Sequence, residues 1–177
     1  METTKWNLDP AHSELKFKIR HMMIANVTGS FNKFSVEATT DSEDFSKAKI
    51  VATADLSSID TNNEQRDNHL RSGDFFETDK HPEAKFESTS ITKKSNDEYE
   101  VKGNLTIKGV TKPVTLEAEF GGIGKDPYGN VKAGFSVNGK INRKDFGLNW
   151  NAILETGGVM VSDDLKIHSE VQLVKQK

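Results

Sequence analysis

The sequence predicts an all-β protein, an antiparallel barrel of about eight strands with one short helix. Three observations carry this reading. Apolar residues alternate with polar ones along most of the chain, the period of a strand with one dry face. Short Gly, Asn, Asp, Ser or Pro clusters separate these runs at hairpin spacing, with no sign of parallel βαβ units. Long amphipathic strands in this number curl, and closure removes the two exposed edges.

The elements follow in order. Trp6 and Leu8 alternate with polar neighbours until Pro10 interrupts. Leu15, Phe17, Ile19 and His21 form the next dry face. Phe31 and Phe34 are one residue out of phase, which predicts a bulge at Asn32 and Lys33. Val36 and Ala38 continue that strand to a polar turn at 40–44. Ala48, Ile50, Ala52, Ala54 and Leu56 form another inward set, followed by Ile59.

Residues 61–76, TNNEQRDNHLRSGDFF, break the pattern. Thr61 and Glu64 have the spacing of a capping box. Gly73 suits the left-handed end of a helix, and Asp67 and Arg71 suit a surface ion pair. The spacing predicts a helix over about 62–72. Leu70 is the one strong apolar residue between its ends. A helix so short and polar is marginal alone, so Leu70, Phe75 and Phe76 are expected to pin it over something apolar.

After His81 and Pro82, Ala84, Phe86 and Ser88 alternate with polar residues. A turn at 95–97 leads to Tyr99, Val101, Gly103, Leu105 and Ile107. A turn at 109–113 precedes Val114, Leu116, Ala118 and Phe120, and a loop at 121–129 follows. Val131, Ala133, Phe135, Val137, Gly139 and Ile141 make one further strand, and Leu165, Ile167, Ser169, Val171 and Leu173 the last. Residues 143–164 read in two ways. Phe146, Trp150, Ile153 and Leu154 fit a second short helix near 146–156, and an irregular loop tucking Phe146, Leu148 and Trp150 inward fits equally. No linker, repeat or low-complexity tract interrupts the pattern, which predicts one domain over 1–177.

The totals exclude several classes. A net charge of −3 and a pI near 6.0 argue against a nucleic-acid binder. The absence of cysteine rules out disulfides and thiolate zinc sites. METTKWNLDPAHSELKFKIR lacks the apolar core of a signal peptide, and no run approaches a spanning segment. A cytoplasmic protein without stable membrane insertion is expected. His12, His21, His69, His81 and His168 show no helical zinc spacing, and there is no G-x-S-x-G elbow or phosphate loop. No metal and no cofactor are expected.

The inward residues mix large side chains with Ala52, Ala54, Ser88, Gly103, Ala118, Ala133, Gly139 and Ser169. Such a barrel either fills itself, the small residues fitting its taper, or holds one ligand. An apolar hollow would suit a hydrocarbon chain, stabilised by about 0.8 kcal/mol per methylene removed from water.

Four stretches resemble the YceI-like family in order and spacing: NLDPAHSELKFKIRH, SSIDTNNEQRDNHLRSGDFFETDKHPEAKFESTSI, GNLTIKGVTKPVTL and INRKDFGLNW. The resemblance implies a lipocalin-like antiparallel barrel with a helix at 61–76. It implies an elongated pocket for a long-chain polyisoprenoid or related amphiphile, and frequent homodimers. The leading reading is a protein that binds and sequesters or carries such a lipid, a lipid-binding and transport role without catalysis.

Candidate ligand-binding residues are Phe17, Ile19, His21, Phe31, Phe34, Leu56, Leu70, Phe75, Phe76, Phe86, Leu105, Phe120, Phe135, Ile141 and Trp150. Arg66, Asp67, His69, Arg71 and Asp74 form the densest polar cluster. They either meet a headgroup, arginine suiting phosphate, or cap the helix and tie it down. The rival reading is a hydrolase or isomerase acting on an amphiphile through Arg66, Asp67 and His69, or through His21. It requires polar groups converging deep in the pocket.

Overall fold

A computed structural model describes residues 3–22, 24–148 and 161–177. Eleven strands form one antiparallel sheet: β1 (Thr3–Leu8), β2 (Glu14–His21), β3 (Ala25–Phe31), β4 (Phe34–Asp41), β5 (Asp44–Asp55), β6 (Ile59–Asp60), β7 (Glu83–Lys93), β8 (Glu98–Ile107), β9 (Val110–Lys125), β10 (Val131–Asn142) and β11 (Val161–Lys175). The sheet closes because β1 pairs with both β4 and β11. The ring β1-β4-β5-β7-β8-β9-β10-β11 has eight strands.

The remaining three strands are continuations of ring strands past a bend. β11 pairs with β1 through Leu173–Lys175 registers and with β2 through Val161 to Glu170. β3 runs into β4, and β5 into β6, in the same way. Asp9 and Pro10 make the first bend, the Asp9 carboxylate accepting from the Ala11 N–H. The out-of-phase pair Phe31 and Phe34 marks the second, where Asn32 and Lys33 lie between the end of β3 and the start of β4, a break between strands in place of the expected bulge. A 3-10 turn, Leu56–Ser58, makes the third, and Asn32 N–H donates to the Ser58 carbonyl at 3.2 Å. Beyond these bends the ladder has no pairing between β6 and β7. There the chain leaves the sheet, forms α1 (Glu64–Arg71), and returns at Glu83.

Two turns differ from expectation. Lys108 and Gly109 alone turn β8 into β9, with φ of 53° and 76°, the left-handed pair that a tight hairpin requires. Pro113 therefore lies within β9, opposite Asn104. β9 also runs on through the glycines to Lys125, so the loop shrinks to 126–130, where the Asp126 carboxylate accepts from Tyr128 and Asn130 N–H groups.

The interior divides in two. At one end Trp6, Ala38, Phe45, Ala48, Ala133, Val171 and Leu173 pack together. Trp6 is 0% exposed, and its indole N–H donates to the Thr40 hydroxyl at 3.0 Å. Phe45 stands 5.0 Å from Trp6 and 4.9 Å from Phe135, with Phe120 5.1 Å from Phe135. The other end gathers Phe17, Leu56, Ile59, Phe75, Phe76, Phe86, Phe146 and Leu148.

Candidate functional site

Between the aromatic floor and the helix the barrel is hollow. An inner chamber of about 230 Å³ is bordered by Ala52, Ala54, Ala84, Ala118 and Ser169, and by larger apolar side chains from seven of the ring strands. Along β11 its wall runs from Leu173 to Leu165, roughly 27 Å at the usual strand rise. An outer chamber of about 170 Å³ lies under α1. The two share Phe17, Phe31, Phe76, Arg143, Leu148 and Leu165 as walls, so they adjoin.

The hollow does not follow from every small residue. Phe86 covers Gly103, where a Cβ would strike its ring and the Glu87 carbonyl. Leu116 covers Gly139 in the same way. Ala133 is sealed into the floor, and the Ser88 hydroxyl accepts from the Ile50 N–H at 2.9 Å.

The predicted site residues divide between the chambers. Phe17, Phe31, Phe34, Leu56, Phe76, Phe86, Leu105, Phe135 and Ile141 border the inner one. Ile19, His21, Leu70 and Phe75 border the outer one, as do Phe17, Phe31 and Phe76. Phe120 lines neither; it packs against Phe45 and Phe135 in the floor. Trp150 lies outside the described residues, as does most of the expected helix near 146–156. Its described start is the 3-10 turn Arg143–Phe146, ended by Gly147 in the left-handed conformation. Phe146 and Leu148 are tucked inward, buried in the core.

α1 is held by side chains rather than by its own sequence. The expected capping box is replaced by Asn63, whose side-chain Oδ1 accepts from the Arg66 N–H at 3.0 Å. Thr61 is drawn inward instead. Its N–H and hydroxyl both donate to Asp67 Oδ1, at 2.9 and 2.5 Å. Asp67 is thereby occupied, and Arg71 does not pair with it. Arg71 straps the helix to the third bend, donating to the Ser57 and Ile59 carbonyls at 2.9 and 3.0 Å. Gly73 keeps a negative-φ backbone, and Ser72 caps the end. Leu70, Phe75 and Phe76 do pin the segment, with Phe76 edge-on to Phe31 at 6.1 Å.

The polar groups concentrate at the mouth. Arg66 donates to the Thr61 hydroxyl and carbonyl at 2.8 and 2.7 Å and also borders the outer chamber. His69 borders it too, its ring held by Asp74 at 2.9 Å and by the edge of Phe75. Arg143, 3% exposed, touches both chambers. It donates to the carbonyls of Leu148, Ser162 and Val161 at 2.6, 2.8 and 3.2 Å. Burial pushes its guanidinium pKa down from the usual value, and the charge of Asp163 opposes that shift. Sequence reading overlooked Arg143, although it continues the inward series 131–141 by one more step of two. Among the described residues, no carboxylate lines either chamber and no three histidine or acidic side chains converge as for a metal.

A closed barrel, plugged at one end and hollow beneath a helix, defines an apolar container. The family of that container is YceI-like: residues 6–173 match the YceI-like domain, and the chain belongs to this family. A UPF0312 protein of Staphylococcus aureus strain N315 is 46% identical over 170 residues, 96% of each chain. The Campylobacter jejuni YceI protein superposes with a TM-score of 0.77 at 37% identity, over 96% of this chain and 97% of that one. A polyisoprenoid binding domain from Saccharophagus degradans shares the fold at 15% identity and a TM-score of 0.67, over 97% and 98% of the two chains.

Proposed function

We propose that the protein binds and carries a long-chain polyisoprenoid or similar amphiphile, without catalysis. The observation that carries this is the pair of adjoining, largely apolar chambers between the aromatic floor and the mouth. Each methylene drawn from water into it contributes about 0.8 kcal/mol, less the cost of ordering the chain. The tail occupies the inner chamber and the polar head stays in the outer one, among Arg66, His69, His21 and Arg143. All four are cationic or protonatable groups bordering one space that no carboxylate lines among the described residues, which favours an electron-rich head such as an alcohol, carbonyl or phosphate. The polyisoprenoid binding of a fold relative supports the choice of tail.

The same geometry weighs against the enzyme reading, which needs polar groups converging at depth. Asp67 is committed to Thr61, and His69 to Asp74 at the rim. A homodimer and a cytoplasmic location belong to this reading as well; sedimentation of the purified chain tests the first and cell fractionation the second. Solvent extraction of the purified protein followed by mass spectrometry tests the ligand. A stoichiometric long-chain lipid is expected, and a lipid-free extract from protein challenged with cell membranes would count against the carrier.

A further inference from the structure

Two exterior features near the mouth lie outside the lining of both chambers. The first is the tip of the β2–β3 hairpin. Met22 is 40% and Ile24 77% exposed, two of the largest apolar exposures on the described surface. Met22 has a φ of 54°, and the Ile24 N–H donates to the His21 carbonyl at 3.3 Å. The strands carrying it supply Ile19, His21 and Val27 to the outer chamber wall.

The second is a row of like charges. Register places Lys140 opposite Lys166, and Lys166 opposite Lys18, so three exposed lysines lie in line across β10, β11 and β2. Like charges directly opposite destabilise a sheet. The nearby acids are partly committed: Asp164 pairs with Lys140 at 3.2 Å, Asp163 with Lys144 at 3.3 Å and Glu14 with Lys16 at 3.2 Å. Lys18 and Lys166 make no ion pair among the described residues. Lys18 stands four strand steps from Met22, roughly 13 Å.

An apolar tip beside a row of lysines, two of them without an ion pair among the described residues, is the combination that holds a protein at an anionic lipid surface. The side chains bury shallowly, and each cation near the surface adds attraction. We propose that the β2–β3 tip and the Lys18–Lys166–Lys140 row dock the barrel on an anionic phospholipid bilayer, bringing the mouth to the surface that supplies or receives its cargo. The docking geometry stands independently; its purpose rests on the carrier reading above.

Co-sedimentation of the full chain with unilamellar vesicles tests this. Vesicles of phosphatidylcholine with phosphatidylglycerol should bind the protein, vesicles of phosphatidylcholine alone much less, and high salt should release it. Lys18→Glu and Lys166→Glu should each weaken binding about fivefold or more, and Ile24→Asp on the order of tenfold. Lys18→Ser and Lys166→Ser give the same direction with less disturbance of the fold. Retained lipid, measured on the same variants, should stay at wild-type occupancy. Equal binding to neutral and anionic vesicles, no binding to either, or indifference to these substitutions would overturn the docking surface. Normal docking by a protein that holds no lipid would uphold the surface and sink the carrier.

Discussion

At the floor of the barrel, Ala38 and Ala133 sit beside Trp6, Phe45 and Leu173, and the space is full. Midway up the wall, Ala52, Ala54 and Ala118 are inward residues of the same kind on the same sheet, and they border a void. Residue size is the same in both places. What differs is the supply of large partners. Four aromatic rings, Trp6, Phe45, Phe120 and Phe135, meet at 4.9 to 6.1 Å across the floor. Higher up, several rings are spent elsewhere: Phe86 lies over Gly103, and Phe31 and Phe76 meet each other under α1. A hollow therefore arises where the large side chains are drawn to the ends or laid flat against the wall.

Substitutions can break this contrast. Trp6→Ala has the largest expected effect. It opens a cavity in a packed floor and removes the indole N–H that donates to the Thr40 hydroxyl, costing about 3–5 kcal/mol in a denaturant titration. Asp67→Ala leaves the buried Thr61 N–H and hydroxyl without their acceptor, a loss of about 1–3 kcal/mol felt at the mouth. Hydrogen exchange should quicken at the amides of α1 while the floor stays protected.

Filling the two regions separates them most clearly. Ala133→Leu overpacks the floor and should cost about 1–3 kcal/mol. Ala118→Trp places a larger group where there is space, so the melting temperature should change little while bound lipid is lost. Equal destabilisation by both would erase the distinction between a full floor and a hollow wall.

The smallest effect concerns acid. The hydrogen bond from Lys132, then that from His12, lower the Asp9 carboxyl to about 2. Its native pKa lies below its unfolded value, so its contribution is present above about pH 4 and disappears as the pH falls toward 2. Asp9→Asn keeps the cap of the first bend but removes the charge. Wild type and variant should differ in stability at neutral pH and converge in strong acid.

The strands were legible because their inward residues recur every two positions, and this period, with the hairpin-spaced turns and the need to remove two exposed edges, implied the closed sheet. The helix was placed within two residues at each end, yet its cap was misread. Thr61 and Glu64 have the spacing of a capping box, but tertiary contact with Asp67 outcompetes it and leaves Asn63 to cap. Phe45 and Ile91 border the inner chamber from positions out of phase with their neighbours, because the register shifts between Thr39 and Asp41 and between Ser88 and Ser90. Such shifts depend on the partner strand and leave no local mark. Phe120 shows the opposite failure: its phase is right, but position along the barrel, which alternation does not encode, sets it in the floor rather than the chamber.

Native mass spectrometry tests the hollow interior most directly. Protein stripped by solvent, refolded and incubated with a long-chain isoprenoid alcohol should carry one adduct per chain, and Ala118→Trp treated alike should appear bare. A bare wild-type chain, or an adduct that Ala118→Trp retains in full, would contradict an interior built to enclose a lipid tail.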